Sequence, residues 1–288
     1  MYAIVGATGN TGRVVAERLL ERGERVRALV RDPNKAEDLR ARGAEVVAVD
    51  LADRETTRAA FAGVTRAYLM LPPSPTAPDP LAHGRAIAET LVDAVTENRL
   101  EHVVLLSSVG AHRDARTGPI LGLHDFEDRL EHAGVSFTAV RAAYFAENWA
   151  GMIPAVKGDG VLPNMLGDRD HAIPMVTTLD IGRTAADALV EGPSAKGIIE
   201  LEGAERLSPT DVAAHLGKRL GRSVQIVDVP FAAQPAQLQQ FGFSARMGEL
   251  YRELNEGVAD GTVDFEGPPA RHVRGERSAR AVFDALIG

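Results

Sequence analysis

Along the first half of the chain, short apolar runs alternate with stretches whose apolar positions recur at helical spacing. Strand candidates stand at Tyr2–Val5, Val26–Val30, Val46–Val49, Ala67–Leu71, Val103–Leu106 and Phe137–Val140. They are rich in Val and Leu and do not alternate with polar residues, as strands covered on both faces should read. Between them lie helical stretches such as Thr11–Arg22, Ala82–Thr96 and Asp125–His132. Strand and helix in strict alternation predict an α/β fold, a Rossmann-like doubly wound parallel sheet. Residues 1–150 form its core. From Gly158-Asp159-Gly160 to Asp168-Arg169-Asp170 the pattern loosens, and residues 151–288 predict a smaller C-terminal α/β substrate region. Within it, a helix at Leu179–Val190 and a strand at Ile198–Leu201 should return to the main sheet, so residues 179–202 belong with the core. Ser208-Pro209-Thr210-Asp211 should cap a helix running to Leu220, followed by an apolar run at Val224–Val229 and by helices after Pro235.

The chain's most informative local pattern is Ile4-Val5-Gly6-Ala7-Thr8-Gly9-Asn10-Thr11-Gly12-Arg13, a strand, a glycine turn and a helix start. That is the geometry that holds a dinucleotide pyrophosphate. Gly6 permits the turn, Gly9 lets the backbone approach phosphate, and Gly12 lets the helix pack close to the sheet. The helix then aims its free N–H groups and positive end at the phosphates, which makes Thr8, Asn10 and Thr11 further contacts. The discriminating position for the cofactor follows the second strand, where a basic residue favours a 2′-phosphate and an acidic one the ribose hydroxyls. Arg31 and Lys35 there favour NADP(H), with Asp32 beside them keeping NAD(H) open; a solvated surface pair is the plainer reading of the two cations. After the third strand, Asp50 and Leu51 should flank an adenine, unless Asp50 simply caps the next helix. The proline-rich loop begun by Leu71 and Pro72 leaves the carboxyl end of the fourth strand, where ligands of open α/β sheets bind. It reads equally as a lid over the cofactor and as a surface connection.

Composition narrows the chemistry. At 288 residues and 45% hydrophobic content, the chain can fill one large α/β core with a smaller appendage. There is no cysteine, which excludes disulfides, thiolate catalysis and zinc–thiolate sites, and the eight histidines show no metal-ligand spacing. A formal charge of −8 without a Lys or Arg run gives no footprint for nucleic acid or an anionic membrane. Because the first residues already read as a core strand and no stretch reaches the roughly 18 apolar residues of a membrane span, a cytoplasmic location is expected. The oligomeric state is not legible.

Gly6-Ala7-Thr8-Gly9-Asn10-Thr11-Gly12, Val30-Arg31-Asp32-Pro33, Asp50-Leu51, Ser107-Ser108 and Arg141-Ala142-Ala143-Tyr144-Phe145-Ala146-Glu147-Asn148 together resemble the NmrA-like branch of the atypical short-chain dehydrogenase/reductases. The resemblance spans nearly the whole chain. Its glycine loop is shared across the superfamily, whereas the arginine–aromatic–Glu-Asn segment is more specific to the branch. Within the branch the N-terminal half looks like NAD(P)H:quinone oxidoreductases and azoreductases; other members are NADP-binding regulators with little or no catalysis. The resemblance places a hydroxyl from Ser107 or Ser108 near the nicotinamide, although ordinary strand-end hydrogen bonding fits both serines as well.

The four tyrosines, Tyr2, Tyr68, Tyr144 and Tyr251, are followed four residues later by Gly6, Pro72, Asn148 and Asn255, never by lysine. The usual Tyr-x-x-x-Lys proton relay of short-chain enzymes is therefore absent. Ketone reduction makes an alkoxide, a base comparable to hydroxide from water of pKa about 15.7, whereas quinone reduction makes a phenolate-like oxygen with a conjugate acid near the tyrosine value of about 10. The sequence thus points to an NAD(P)H-dependent oxidoreductase acting on a small quinone-like or otherwise conjugated electron acceptor, with a non-catalytic NADP(H)-sensing regulator as the alternative. His124, near the place of the missing lysine, is a candidate for sharing a proton or binding the nicotinamide ribose, though a histidine at a helix start is often simply exposed. Tyr144, Phe145, Asn148 and Trp149 should line the acceptor wall, with packing as the competing role and the expected one for Phe145.

Overall fold

The computed structural model describes residues Met1–Gly288. Its strands are β1 (Tyr2–Val5), β2 (Val26–Val30), β3 (Glu45–Ala48), β4 (Arg66–Leu69), β5 (His102–Ser108), β6 (Phe137–Ala142), β7 (Tyr144–Phe145), β8 (Val161–Asn164), β9 (Ile173–Val176), β10 (Gly197–Glu202), β11 (Arg206–Leu207), β12 (Gln225–Asp228) and β13 (Arg271–Arg274). The helices are α1 (Asn10–Glu21), α2 (Glu37–Ala41), α3 (Arg54–Ala60), α4 (Pro80–Glu97), α5 (Leu121–His132), α6 (Ile153–Asp159), α7 (Thr178–Glu191), α8 (Pro209–Leu220), α9 (Gln234–Gln240), α10 (Ala245–Asp260) and α11 (Ala279–Ile287).

Eight strands form one sheet in the order β13-β10-β6-β5-β4-β1-β2-β3, with every neighbouring pair parallel. The continuous apolar character of its strands has a direct cause in the two faces. Tyr2 and Ile4 of β1 point into a layer with Val15, Ala16 and Leu19 of α1 and Ile181, Ala185 and Leu189 of α7. Ala3 and Val5 point the opposite way, against Ala60 of α3, Ile87 and Leu91 of α4 and Phe126 and Leu130 of α5. Successive residues therefore enter different cores. Helices α1 and α7 touch closely because position 182 is glycine: a Cβ there would lie 2.5 Å from the Val14 Cβ.

Beyond β6 the chain builds a smaller lobe around a third core that includes Trp149, Ile153, Leu162, Val212, Leu216 and Phe283. Its strands pair in two small sheets, β11-β9-β7 and β12-β8. Helix α8 starts at the cap expected from the sequence, and the cap is a reciprocal capping box: the Ser208 side chain accepts from the Asp211 N–H, and the Asp211 carboxylate accepts from the Ser208 N–H. The chain returns to the main sheet twice. Strand β10 and helix α7 occupy residues for which that return was expected, whereas β13, beside β10 at the sheet edge, was not anticipated. No helix is long and apolar enough to cross a membrane.

Candidate functional site

The site is built at the carboxyl ends of the parallel strands. Gly6 leaves β1 with φ +66°, in the region open to glycine. The Gly9 N–H donates to the Gly6 carbonyl at 2.8 Å and closes the turn. Gly9 then caps α1 with extended backbone and no side-chain cap, so the N–H groups of Asn10, Thr11 and Gly12 find no protein acceptor. A Cβ on Gly12 would lie 2.4 Å from the Gly6 oxygen, a contact no side chain tolerates. At Gly9 it would meet only that same oxygen, at 3.3 Å, with open space beyond. A methyl at Gly9 would fill the cradle that the free N–H groups face, and this fits a pyrophosphate. Thr8 lies half-buried in the turn. Thr11 differs from expectation in its side chain: the hydroxyl accepts from the Tyr68 phenol at 2.9 Å and is buried, leaving only its N–H for a ligand.

Arg31 and Lys35 are exposed just past β2, and neither side chain bonds to a protein group. Asp32, the acidic residue between them, accepts from the Asn34 N–H at 3.1 Å and caps the following turn. Arg13, which motif reading passed over, reaches this corner from α1. It donates to the Lys35 carbonyl at 3.3 Å and pairs with Asp38. Its signal was a basic residue directly after the third glycine, on the first turn of the helix.

Past β3, Asp50 and Leu51 are both already engaged with the protein. Asp50 is exposed, but its carboxylate accepts from the Ala52 N–H at 3.0 Å, and Asp53 rather than Asp50 caps α3. Leu51 is buried in the core behind it, because its side chain follows the apolar face of the sheet; only its backbone remains for a ligand. Leu71 and Pro72 are half-buried where the chain leaves β4. Further along that loop the Pro75 carbonyl accepts from the Ser244 N–H at 2.8 Å, which ties the loop to the turn between α9 and α10.

The expected roles of Ser107 and Trp149 need correcting. The Ser107 hydroxyl is 2% exposed and donates to Glu127. Glu127 in turn receives two bonds from the Arg141 Nε, at 3.1 and 3.2 Å, and one from its terminal nitrogen at 2.6 Å; Arg141 also pairs with Glu266. Both members of the Glu127–Arg141 pair are 7% exposed in their side chains. Leaving either alone would cost about 3–5 kcal/mol. Ser107, Arg141 and Glu200 stand in register across β5, β6 and β10, and Glu200 accepts from the Glu266 and Gly267 N–H groups. Ser107 therefore anchors a buried ion cluster that fastens the 261–270 segment over the strand ends. Ser108, half-buried, donates to the Val109 carbonyl at 3.0 Å. Trp149 is 4% exposed inside the smaller lobe's core, so it offers no open stacking face.

Tyr144 stands just past the carboxyl end of β6. Its ring meets the edge of Trp149 with centroids 6.4 Å apart, Asn148 one turn on is exposed, and the phenol of Tyr251 lies close enough to influence its ionisation. Burial first, and then Tyr251, push the Tyr144 hydroxyl well above the usual phenol range, with Asn148 opposing. Burial raises Tyr251 likewise. Phe145 packs against the main core. His124 lies in the first turn of α5, where Nδ1 donates to the Ala111 carbonyl at 2.8 Å and Nε2 stands 3.6 Å from Asp128. The structure thus joins Tyr144 and Asn148 with Tyr251, which no sequence motif marked.

The sequence model of the NmrA-like family matches residues 2–270. The chain is 27% identical over 279 residues to an NAD(P)H azoreductase of Xenophilus azovorans, with 94% of each covered. It is 28% identical over 267 residues to quinone oxidoreductase 2 of Escherichia coli, covering 91% of this chain and 89% of that protein. Among solved structures, the NADPH complex of an NADPH-dependent quinone oxidoreductase from Escherichia coli superposes with TM-score 0.83 at 23% identity, over 100% of both chains. The Citrobacter triphenylmethane reductase complexed with NADP(H) gives 0.78 at 20% identity over 93% of each. These structural likenesses are likenesses of fold.

Proposed function

The chain belongs to the NmrA-like family, and from that premise we propose that it is an NAD(P)H-dependent oxidoreductase, preferring NADPH, that reduces a quinone-like or otherwise conjugated small molecule. The observation that carries the reading is the open cradle at Gly9, with three unpaired N–H groups above it and two uncommitted cations at Arg31 and Lys35. The names of the azoreductase and quinone oxidoreductase relatives support it.

The bound nicotinamide supplies the hydride. The chain's own residues bind and orient. Backbone N–H groups at the start of α1 hold the pyrophosphate, while Arg31 and Lys35 meet the 2′-phosphate with Arg13 bracing the loop that carries Lys35. Residues 151–288, apart from what they return to the sheet, form the acceptor side together with the Tyr144–Asn148 segment. Tyr144 and Asn148 present a phenol and an amide to the acceptor, and the edge contact with Trp149 holds the tyrosine ring in place. Without a Tyr-x-x-x-Lys relay, the proton comes from solvent, which suffices for a phenolate-like product and fails for an alkoxide. The test is NADPH oxidation by the purified protein with a quinone panel and with aliphatic ketones. Turnover with quinones only is the expected result; tight NADP binding without turnover on any acceptor would transfer the assignment to a nucleotide-sensing regulator.

A further inference from the structure

Helix α10 lies hard against the turn that precedes α5. A Cβ on Gly118 would stand 2.0 Å from the Leu250 carbonyl, and one on Gly257 would stand 3.0 Å from the Arg116 carbonyl. Glycine at both positions lets the helix backbone seat this deeply, and it fixes Tyr251, next to Leu250, over the chain that leaves the carboxyl end of β5. The Tyr251 ring is also held from its other side: Phe243 meets it edge-on, with centroids 5.5 Å apart and planes at 88°. The turn that carries Phe243 is tied down in its turn by the bond from the Ser244 N–H to the Pro75 carbonyl. The Tyr251 hydroxyl makes no hydrogen bond to another protein group, and burial keeps it protonated. A rigidly held phenol with an unused O–H thus stands over the chain leaving β5, near Tyr144 of the proposed acceptor wall.

We propose that Tyr251 donates a hydrogen bond to the acceptor oxygen that becomes negative as hydride arrives, and that it makes the protein selective for acceptors whose reduced oxygen is phenolate-like. The inference rests on the function proposed above. The hydride brings two electrons and one hydrogen to the conjugated acceptor, the charge collects on the oxygen, Tyr251 keeps its proton while donating the bond, and water supplies the second proton to give the hydroquinone. Burial favours the protonated phenol, which keeps Tyr251 a donor throughout. A fixed donor aimed at developing charge needs no reorganisation during the reaction. Because the conjugate acid of the reduced quinone's oxygen is itself a phenol, that oxygen and the oxygen of Tyr251 hold a proton with comparable strength and the bond is well matched for a quinone product, whereas an alkoxide would need the full proton that no lysine is placed to replenish.

Tyr251→Phe removes one oxygen and retains the edge contact with Phe243. We expect kcat with quinones to fall about tenfold to a hundredfold, with the KM for NADPH and the calorimetric affinity for NADP unchanged. A second readout needs no turnover. With NADP bound, 4-nitrophenolate stands in for the reduced product; its absorption band should shift to shorter wavelength on binding to the wild type, and the shift should be lost in Tyr251→Phe. Unchanged kcat together with an unchanged nitrophenolate shift in a folded variant would overturn the assignment of Tyr251. If instead the wild type reduces no quinone, the proposed function fails, and the nitrophenolate comparison still decides whether Tyr251 binds a phenolate.

Discussion

His102 opens β5 with 0% of its surface exposed. Its Nδ1 lies 2.9 Å from the Ser136 hydroxyl and its Nε2 2.9 Å from the Thr138 hydroxyl. Thr138 donates its own hydrogen to the Ala195 carbonyl at 2.7 Å, so it can only accept from the ring. The proton therefore sits on Nε2, and Nδ1 accepts from Ser136. The neutral ring is satisfied on both sides, while a second proton would have to be carried in a buried site near Arg66. Burial, and secondarily Arg66, lower the His102 pKa from 6.5 to about 4. Between those values the unfolded chain binds more protons than the folded one, so stability is complete above pH 6.5 and is lost as the pH falls toward 4. The slope approaches about 1.4 kcal/mol per pH unit, and the whole interval amounts to on the order of 3 kcal/mol. Urea unfolding of the wild type and of His102→Gln, at half-unit steps across this range, isolates the contribution, because the other titrating groups are common to both proteins. The wild type should lose more stability than the variant on acidification, by about that amount. Parallel stability curves would refute the argument that burial keeps this histidine neutral.

Two further substitutions probe the cofactor site. Gly9→Val should fold, since the first added carbon meets only the Gly6 oxygen at 3.3 Å, but its branches occupy the phosphate cradle; losing two charge-assisted bonds there weakens NADP by at least about a hundredfold, and undiminished calorimetric affinity in a folded variant would remove the pyrophosphate from this loop. Arg31→Ala should cost NADPH about 1.5–3 kcal/mol, a roughly tenfold or greater loss, and leave NADH nearly untouched; equal losses for the two cofactors would make Arg31 structural.

The main sheet was readable because its strands are buried on both faces. The run Val103–Leu106 is apolar throughout and Val26–Val30 is broken only by Arg27, and Gly6, Gly9 and Gly12 each answer a backbone demand that a sequence displays. β13 escaped notice for the opposite reason: Arg271-His272-Val273-Arg274 is an edge strand with one neighbour, mostly exposed, and carries no apolar run. β7 and β11 span two residues each, too short for any period. At the site, local sequence showed which residues could act but not which were already engaged. Ser107 ends a strand as an active serine would, yet Glu127 on α5 takes its hydroxyl. Trp149 follows Asn148 in the marked segment, yet the smaller lobe's core draws its ring inward. Tyr251 shows the same limit in reverse. It has no motif around it and reaches Tyr144 only through the seating of α10 on Gly118, a contact between segments far apart in sequence.

The central claim is that this fold transfers hydride to acceptors whose reduced oxygen needs little acid assistance. The most direct test is the steady-state rate of NADPH oxidation by the purified protein with a series of quinones and a series of aliphatic ketones under the same conditions. The account predicts saturable turnover with the quinones and background rates with the ketones. Turnover of ketones at rates comparable to quinones would contradict it, because the protein would then have to supply a proton through a relay that its tyrosines do not form.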